Sequence, residues 1–390
     1  MKITYICNEY PPAPHGGIGT FVQTLTRGLV AKGHEVTVVG WGRTAGERDD
    51  RGIRVVTLPA CGQRAVGWLV NRRRLHRWLR EEVRAGRTEI IETPEYDGPL
   101  PFAFDGCPVV VRLHLAATTI CRQTGRRQSL PQWWSENRTL RRHSNWIAVS
   151  KHSLRLTRDT FRAAPKKQAV IYYPVSSAAH TGTNPVALPD EFVLYAGTVS
   201  RRKGAFVLAE AARKLLAAHS GLHVVYAGAI ETERGVPADV HIRSVLGDKW
   251  SARVHFLGRV ERAQIFDCMR RARVFAFPSS LETFGLVIAE AMLEGCPVVV
   301  CDAGPIPEFV EHERTGLLVP PNDPAALAAS VTRLLSDSAL AGRLARAGKE
   351  SIASRFSVEA AVEYNLEFYR ACAMGRGAGL SSMAESELRP

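Results

Sequence analysis

Two glutamates eight positions apart, Glu282 and Glu290, lie in the run PSSLETFGLVIAEAMLEGCPVVV (278–300) and are the residues best placed to do chemistry. Val274–Phe277 reads as a strand entering a polar turn. Thr283 is positioned to N-cap a helix, Gly295 to end it, and residues 298–300 to form the next strand. Glu290 then falls inside the apolar VIAEAML, where an unpaired carboxylate would cost several kcal/mol of desolvation, so hydroxyl or amide donors are expected to meet it. Glu282 lies just before the helix, where the first backbone N–H groups, those of Phe284, Gly285, Leu286 and Val287, favour an anion. A phosphate at the helix start and a hydroxylated group one to two turns along describe a sugar nucleotide. Two other readings compete. Glu290 reaches solvent at a helix edge while Glu282 decorates a loop, or the pair is that of a glycosidase. Eight helical residues span roughly 12 Å, too far for two carboxyls flanking one bond unless the first lies off the helix axis.

Further clusters carry residue types that such a ligand needs. Lys203 in SRRKG stands just before a helix, where a cation neutralises charge on a departing diphosphate, and Arg201 and Arg202 flank it. GGIG (16–19) also precedes a helix and lets backbone approach a phosphate or sugar closely. It is not G-x-G-x-x-G, and Val39 leads to Gly40 where a dinucleotide fold would place an acid, which counts against a dinucleotide cofactor. His114 ends the apolar VVVRLH, the position from which α/β sheets present ligands, although a satisfied histidine at a strand end is the ordinary alternative. HFLGRV (255–260) places Gly258, Arg259 and Val260 after another strand. IETPEYDG (91–98) places Glu95, Tyr96 and Asp97 after one more, either as contacts to a second substrate or as a plain polar turn.

The elements that must hold these residues repeat one grammar. Residues 3–7 read as a strand, followed by the loop NEYPPAPHGGIGT and a helix with Phe21, Leu25 and Leu29 at i+4 spacing. Gly33 stops that helix, and a strand over 35–39 follows. Phe192–Ala196 likewise reads as a strand and GTVSRRKG as a loop. A helix from Ala205 to about Ala218, capped by Gly221, then leads into the strand His223–Ala227. Each is the opening βαβ unit of a doubly wound parallel sheet, so two Rossmann-like domains are expected. The aperiodic YYPVSSAAHTGTNPVALPDE (172–191) divides them into 1–175 and 176–355. FSVEAAVEYNLEFYR (356–370) has helical character, and residues 373–390, rich in Gly, Ser and charge, read as a disordered tail.

With 390 residues, 45 % hydrophobic and 23 % charged, the chain has the composition of an ordinary two-domain globular protein. MKITYICNEYPP holds one short strand and the acid Glu9, unlike a signal peptide, and no run of about 18 apolar residues occurs. Eight cysteines without a C-x-x-C pair suit a reducing cytoplasm and argue against a structural zinc. The net charge of +13 suits acidic substrates, anionic lipid or nucleic acid, but no nucleic-acid module is recognisable. Residues 64–87 carry Leu75, Leu79 and Val83 as an apolar stripe beneath arginines, and residues 122–142 contain Trp133 and Trp134. Such basic amphipathic helices dock peripherally on membranes or, more often, form a solvated face over a core.

The E-x7-E block with its following GxPVV strand, and the segments around it from residue 1 to about residue 370, resemble the retaining family-4 glycosyltransferases. The resemblance implies an α/β GT-B fold, two Rossmann-like doubly wound domains facing across a cleft, with helix 356–371 returning to complete the first. It implies that His114, Lys203 and Glu282 serve catalysis, with Glu282 near the donor sugar's hydroxyls and His114 near its C6 hydroxyl. Glu290 would hold the ribose. The amides of 284–287, with Arg201 or Arg202, would hold the diphosphate, and Gly258, Arg259 and Val260 the nucleobase. Gly17 would lie near the diphosphate or the acceptor, Glu95, Tyr96 and Asp97 near the acceptor, and GPIPE (304–308) beside the donor. One position departs from the pattern. Thr198 stands where the family's G-R-hydrophobic-x-x-x-K-G has arginine.

The implied activity is transfer of a hexose-type sugar from a nucleoside-diphosphate sugar to an acceptor small molecule, glycan or lipid-linked sugar. It would need no cofactor, and no metal, since no Asp-x-Asp occurs. A hydrolysing sugar-nucleotide epimerase on the same architecture and a non-catalytic sugar-nucleotide binder are the alternatives.

Overall fold

Short apolar segments alternating with amphipathic helices produce two parallel sheets, each in its own compact unit. Met1–Pro174 together with the chain from Val358 onward forms the first, and Val175–Ser357 the second. The structure is a computed structural model that describes residues 1–13, 16–63, 66–177 and 186–374. Part of the expected linker (178–185) and most of the expected tail (375–390) lie outside the described residues.

The first unit contains β1 (Lys2–Ile6), α1 (Gly17–Ala31), β2 (Glu35–Gly42), β3 (Gly46–Asp50), β4 (Ile53–Pro59), α2 (Gly67–Arg84), β5 (Ile90–Pro94) and β6 (Val109–Leu113). It continues with α3 (Ala117–Thr124), α4 (Leu130–Arg142), β7 (Asn145–Ala148), α5 (Lys151–Phe161) and β8 (Lys167–Val170). The sheet order is β3-β4-β2-β1-β5-β6-β7-β8, parallel except for the edge pair β3–β4. The chain runs outward from β1 on one side and from β5 on the other, so a switch point lies beyond the carboxyl ends of those two strands.

The second unit contains β9 (Phe192–Ala196), α6 (Ala205–Ala218), β10 (His223–Ala227), the hairpin β11 (Thr232–Glu233) and β12 (Val236–Pro237), α7 (Ala238–Leu246), α8 (Asp248–Ser251) and β13 (Val254–Gly258). Then follow α9 (Arg262–Arg271), β14 (Val274–Phe277), α10 (Leu286–Leu293), β15 (Val298–Cys301), β16 (Leu317–Val319), α11 (Pro324–Ser336) and α12 (Ser338–Arg355). Its sheet runs β13-β10-β9-β14-β15-β16, the Rossmann order, with its switch point between β9 and β14. The expected cap of α6 is corrected: the helix ends on His219, and Gly221 comes two residues later.

The last described helix, α13 (Val358–Ala373), belongs to the first unit. It is held by a buried polar network. Arg112 on β6 makes a two-pronged pair with Glu92 on β5, at 3.0 and 2.7 Å. From α13, Asn365 Oδ1 accepts from Arg112, and the Tyr369 hydroxyl donates to Glu92 and lies 2.8 Å from the Tyr5 hydroxyl. An unpaired guanidinium at this depth would be strongly unfavourable, so the charged pair and its α13 partners stand or fall together.

The apolar stripe of α2 is core. Leu75 and Leu79 pack with Ile6, Val39, Ile91 and Val109, and Val83 packs against that cluster. This stripe is therefore covered by the sheet and is no membrane face. Among the described residues no helix is long and apolar enough to cross a membrane.

Candidate functional site

The switch point of the second unit is where its chemistry-bearing residues converge. The loop after β9 and the loop after β14 come into direct backbone contact. Gly204 has φ +77°, and a Cβ there would lie 2.3 Å from the Pro278 carbonyl oxygen, so glycine is required on both counts. The Tyr195 hydroxyl lies 2.8 Å from the Thr198 carbonyl and 3.1 Å from that of Lys203, pinning both ends of the β9 loop. Burial holds this phenol well above its ordinary pKa, so it stays a proton donor. The result places Lys203 Nζ 2.7 and 2.9 Å from the two carboxylate oxygens of Glu282. The buried Ser279 hydroxyl donates to the same carboxylate at 2.6 Å.

The helix start differs from the sequence expectation. Thr283 is not the N-cap; Gly285 is, at φ +94°, a left-handed conformation that glycine adopts freely. The first helical bonds are those of Ile288 and Ala289 to the Gly285 carbonyl, so the amides of Leu286 and Val287 precede the ladder. Phe284 anchors the turn from below, its ring 5.1 and 5.7 Å from those of Phe309 and Phe356. At the far end Cys296 N–H reaches the Ala291 carbonyl past Gly295, closing the helix as expected. After β15, Ile306–Glu308 of the GPIPE segment forms a 3-10 turn with Ile306 buried.

Glu290 is met by a partner that sequence reasoning missed, the Arg262 guanidinium at 2.6 Å. Burial pushes the Glu290 carboxyl above its ordinary pKa, and Arg262 pulls in the opposite direction. Because Arg262 opens α9 two residues after Val260, this pair also ties the Gly258–Val260 loop to α10. Gly258 turns the chain at φ +65°, its carbonyl accepting from Gly228 N–H at 2.8 Å, and Arg259 is exposed. Arg201 is turned away from the glutamates. It stacks 4.1 Å over the Phe206 ring and lies 3.4 Å from Glu233 on the small hairpin. Arg202 makes no ion pair among the described residues.

The remaining candidates sit in the first unit, at the carboxyl ends of β1, β5 and β6. His114 is buried, its Nδ1 paired with the Tyr173 hydroxyl and its backbone N–H donating to Glu95 at 2.6 Å. Burial and the nearby Arg112 charge hold the imidazole well below its ordinary pKa, so it is neutral. Glu95 is fully buried. Burial first, and the neighbouring Glu136, push it up to about 8, while the His114 amide draws it down. Tyr96 is exposed, and Asp97 pairs with the buried Arg72 at 3.1 Å. At the start of α1, Glu9 takes the amides of Gly16 and Gly19 at 3.3 and 3.0 Å, so this helix start already carries the chain's own anion. Gly17 between them faces open space.

Two family models match, Glycosyltransferase Family 4 over residues 15–178 and Glycosyl transferases group 1 over 181–351. This chain belongs to the family-4 glycosyltransferases. The glycosyltransferase is 26 % identical to glycogen synthase of Mycobacterium tuberculosis over 414 aligned positions, 96 % of each chain. Its fold is GT-B, shared with solved glycosyltransferases. The sucrose-phosphate synthase of Thermosynechococcus elongatus superposes with a TM-score of 0.77 at 24 % identity, covering 96 % of this chain and 99 % of that one. HepE of Anabaena in complex with UDP-glucose gives 0.70 at 20 % identity over 95 % and 100 %.

Within this glycosyltransferase, Lys203, Glu282, Glu290 and the α10 amides come together around one switch point, and Arg262 joins the Gly258–Val260 loop to them. Arg201 does not join them. The residues missed from sequence, Ser279, Arg262 and Tyr195, carried one available signal: a glutamate inside VIAEAML requires a partner, and here an arginine of the chain itself supplies it.

Proposed function

We propose that this glycosyltransferase moves a hexose-type sugar from a nucleoside-diphosphate sugar to an acceptor hydroxyl with retention at the anomeric carbon. The observation that carries the reading is the Lys203–Glu282 pair at the switch point beside the uncommitted amides of α10. A diphosphate at that helix start gains the helix dipole and the Lys203 charge, and Glu282, oriented by Ser279, accepts from sugar hydroxyls. Glu290, shared with Arg262, is assigned to the ribose. The neutral His114 is assigned to hydrogen-bonding a sugar hydroxyl. UDP-glucose in the neighbouring HepE structure supports a nucleotide sugar as donor.

In the proposed step the anomeric carbon–oxygen bond to the diphosphate breaks and the acceptor oxygen bonds to that carbon from the same face. The acceptor's proton passes to the departing phosphate oxygen. The developing negative charge is met by Lys203 and the helix amides, so the step calls for no metal or further cofactor. Free thiols at all eight cysteines support a reducing, cytoplasmic setting.

A second reading, a sugar-nucleotide binder without turnover, draws on Thr198 and on the commitment of Arg201 to Glu233. Thermal shift against UDP, GDP, ADP and dTDP, followed by turnover of the matching sugar nucleotides with and without acceptors, decides between them. Stabilisation by one nucleotide and acceptor-dependent release of it are expected. Binding with no turnover over a broad acceptor panel would support the binder, and release without acceptor the epimerase.

A further inference from the structure

The exposed apolar side chains Val66, Tyr96, Leu130 and Trp133 lie on three segments of the first unit that touch one another. Arg72 of α2 donates to the Gly98 carbonyl at 2.8 Å, joining α2 to the loop after β5. A Cβ on Gly98 would come within 2.3 Å of the Ser135 backbone, so that loop packs directly on α4. The Trp134 ring turns inward to meet Trp68 of α2 at 5.8 Å, which fixes α4 and leaves its neighbour Trp133 facing out. Leu130, at the first position of α4, is 77 % exposed.

Single exposed leucines are ordinary, but Leu130 and Trp133 have a distinctive electrostatic setting, unlike Tyr96, which stands beside the partly exposed Asp97. From Gly106 to Ser135 the chain has no Asp or Glu, and from Val66 to Arg80 it has none either. Arg126 and Arg127 are exposed in the loop that leads into α4. Leucine and tryptophan tips beside arginines match a lipid–water interface. An indole sits at headgroup depth, an aliphatic tip enters the acyl boundary, and guanidinium groups meet anionic headgroups. A polyanion without an apolar layer would use the arginines and leave Leu130 in water.

We propose that this edge of the first unit docks on an anionic lipid surface, inserting Leu130 and Trp133 with Arg126 and Arg127 against lipid phosphates. Tyr96 belongs to the loop after β5, at the carboxyl edge where α/β sheets hold ligands, so docking sets that edge at the membrane interface. The inference stands apart from the donor-site reading, because none of its residues belongs to the second unit.

The test is co-sedimentation of the full chain with phosphatidylcholine vesicles prepared with and without phosphatidylglycerol. Binding is expected only to the anionic vesicles, weakening with salt. Arg126→Gln and Arg127→Gln should each weaken it about fivefold, and Leu130→Ser/Trp133→Ser about tenfold or more. A urea transition of the first unit at the wild-type midpoint confirms that the same variants are folded. No vesicle binding, equal binding to neutral vesicles, or full binding by Leu130→Ser/Trp133→Ser would overturn the proposal. So would binding of single-stranded DNA through Arg126 and Arg127 by a protein that ignores vesicles.

Discussion

Glu282→Gln should tighten the binding of a free nucleoside diphosphate while lowering sugar transfer. In the free protein Lys203 is held by both oxygens of Glu282, at 2.7 and 2.9 Å, with their side chains 22 % and 9 % exposed. An arriving diphosphate must draw the ammonium away from that carboxylate and tolerate its negative charge nearby. A hydrogen bond to a charged group is worth roughly 1.5–3 kcal/mol. Glutamine keeps the shape and an acceptor for Ser279 and Lys203 but gives up the charge, so most of that competition disappears. Taking about 1.5 kcal/mol as the net release, the Kd of the diphosphate should fall roughly tenfold.

A nucleoside diphosphate carries no sugar, so loss of the sugar contact does not enter this measurement. With the full sugar nucleotide the gain should shrink, and the difference between the two ligands measures the Glu282–sugar contact. Isothermal titration with each ligand reads both numbers. Unchanged or weaker diphosphate binding by a folded Glu282→Gln protein would refute the idea that Glu282 and the diphosphate compete for Lys203.

Lys203→Ala should lower kcat by about 10²-fold or more while affecting donor affinity less, because its charge matters most as the diphosphate leaves; steady-state kinetics showing a change in KM alone would assign it to ground-state binding. Glu290→Ala should weaken donor binding by roughly 1.5–3 kcal/mol, and titration showing unchanged affinity would remove it from the ribose position. Glu92→Gln strands the buried Arg112 charge and should destabilise the first unit by about 3–5 kcal/mol, seen in urea as an earlier first-unit transition with the second unit unmoved. Glu95 titrates near an ordinary 4.5 when unfolded and at about 8 when folded. The folded state therefore binds the extra proton between those values, and the stability it contributes, full below pH 4.5, is lost as pH rises through 8. Urea midpoints of Glu95→Gln should lose that decline, and a wild-type midpoint flat over the same window would contradict the protonated state.

Much of the fold was legible because a parallel sheet leaves a simple record. Phe192–Ala196, His223–Ala227 and Val274–Phe277 are short, apolar and bounded by turn residues, and each is a strand over that span. The glutamate pair was legible for a related reason, since an acid within an apolar helix is costly unless something meets it. What met it was not legible. Arg262 reaches Glu290 across 28 positions and Lys203 reaches Glu282 across 79, and no local pattern encodes such contacts. The same limit explains Glu95, whose PEYDG setting reads as a polar turn and whose buried surroundings include the His114 amide after β6 and Glu136 of α4. It also explains α2, whose stripe of leucines under arginines looks alike whether it covers a sheet or a bilayer.

The buried network around Arg112 has a consequence for the order in which this protein forms. Its partners Asn365 and Tyr369 are translated after every residue of the second unit. On the ribosome, β1 to β8 emerge first and yet lack the helix that completes their core, whereas the second unit has its whole sequence available beforehand. A nascent first unit would hold an under-satisfied guanidinium and an uncovered groove beside Tyr5 until α13 emerges. Synthesis of this chain should therefore finish its units in reverse order, the second closing before the first.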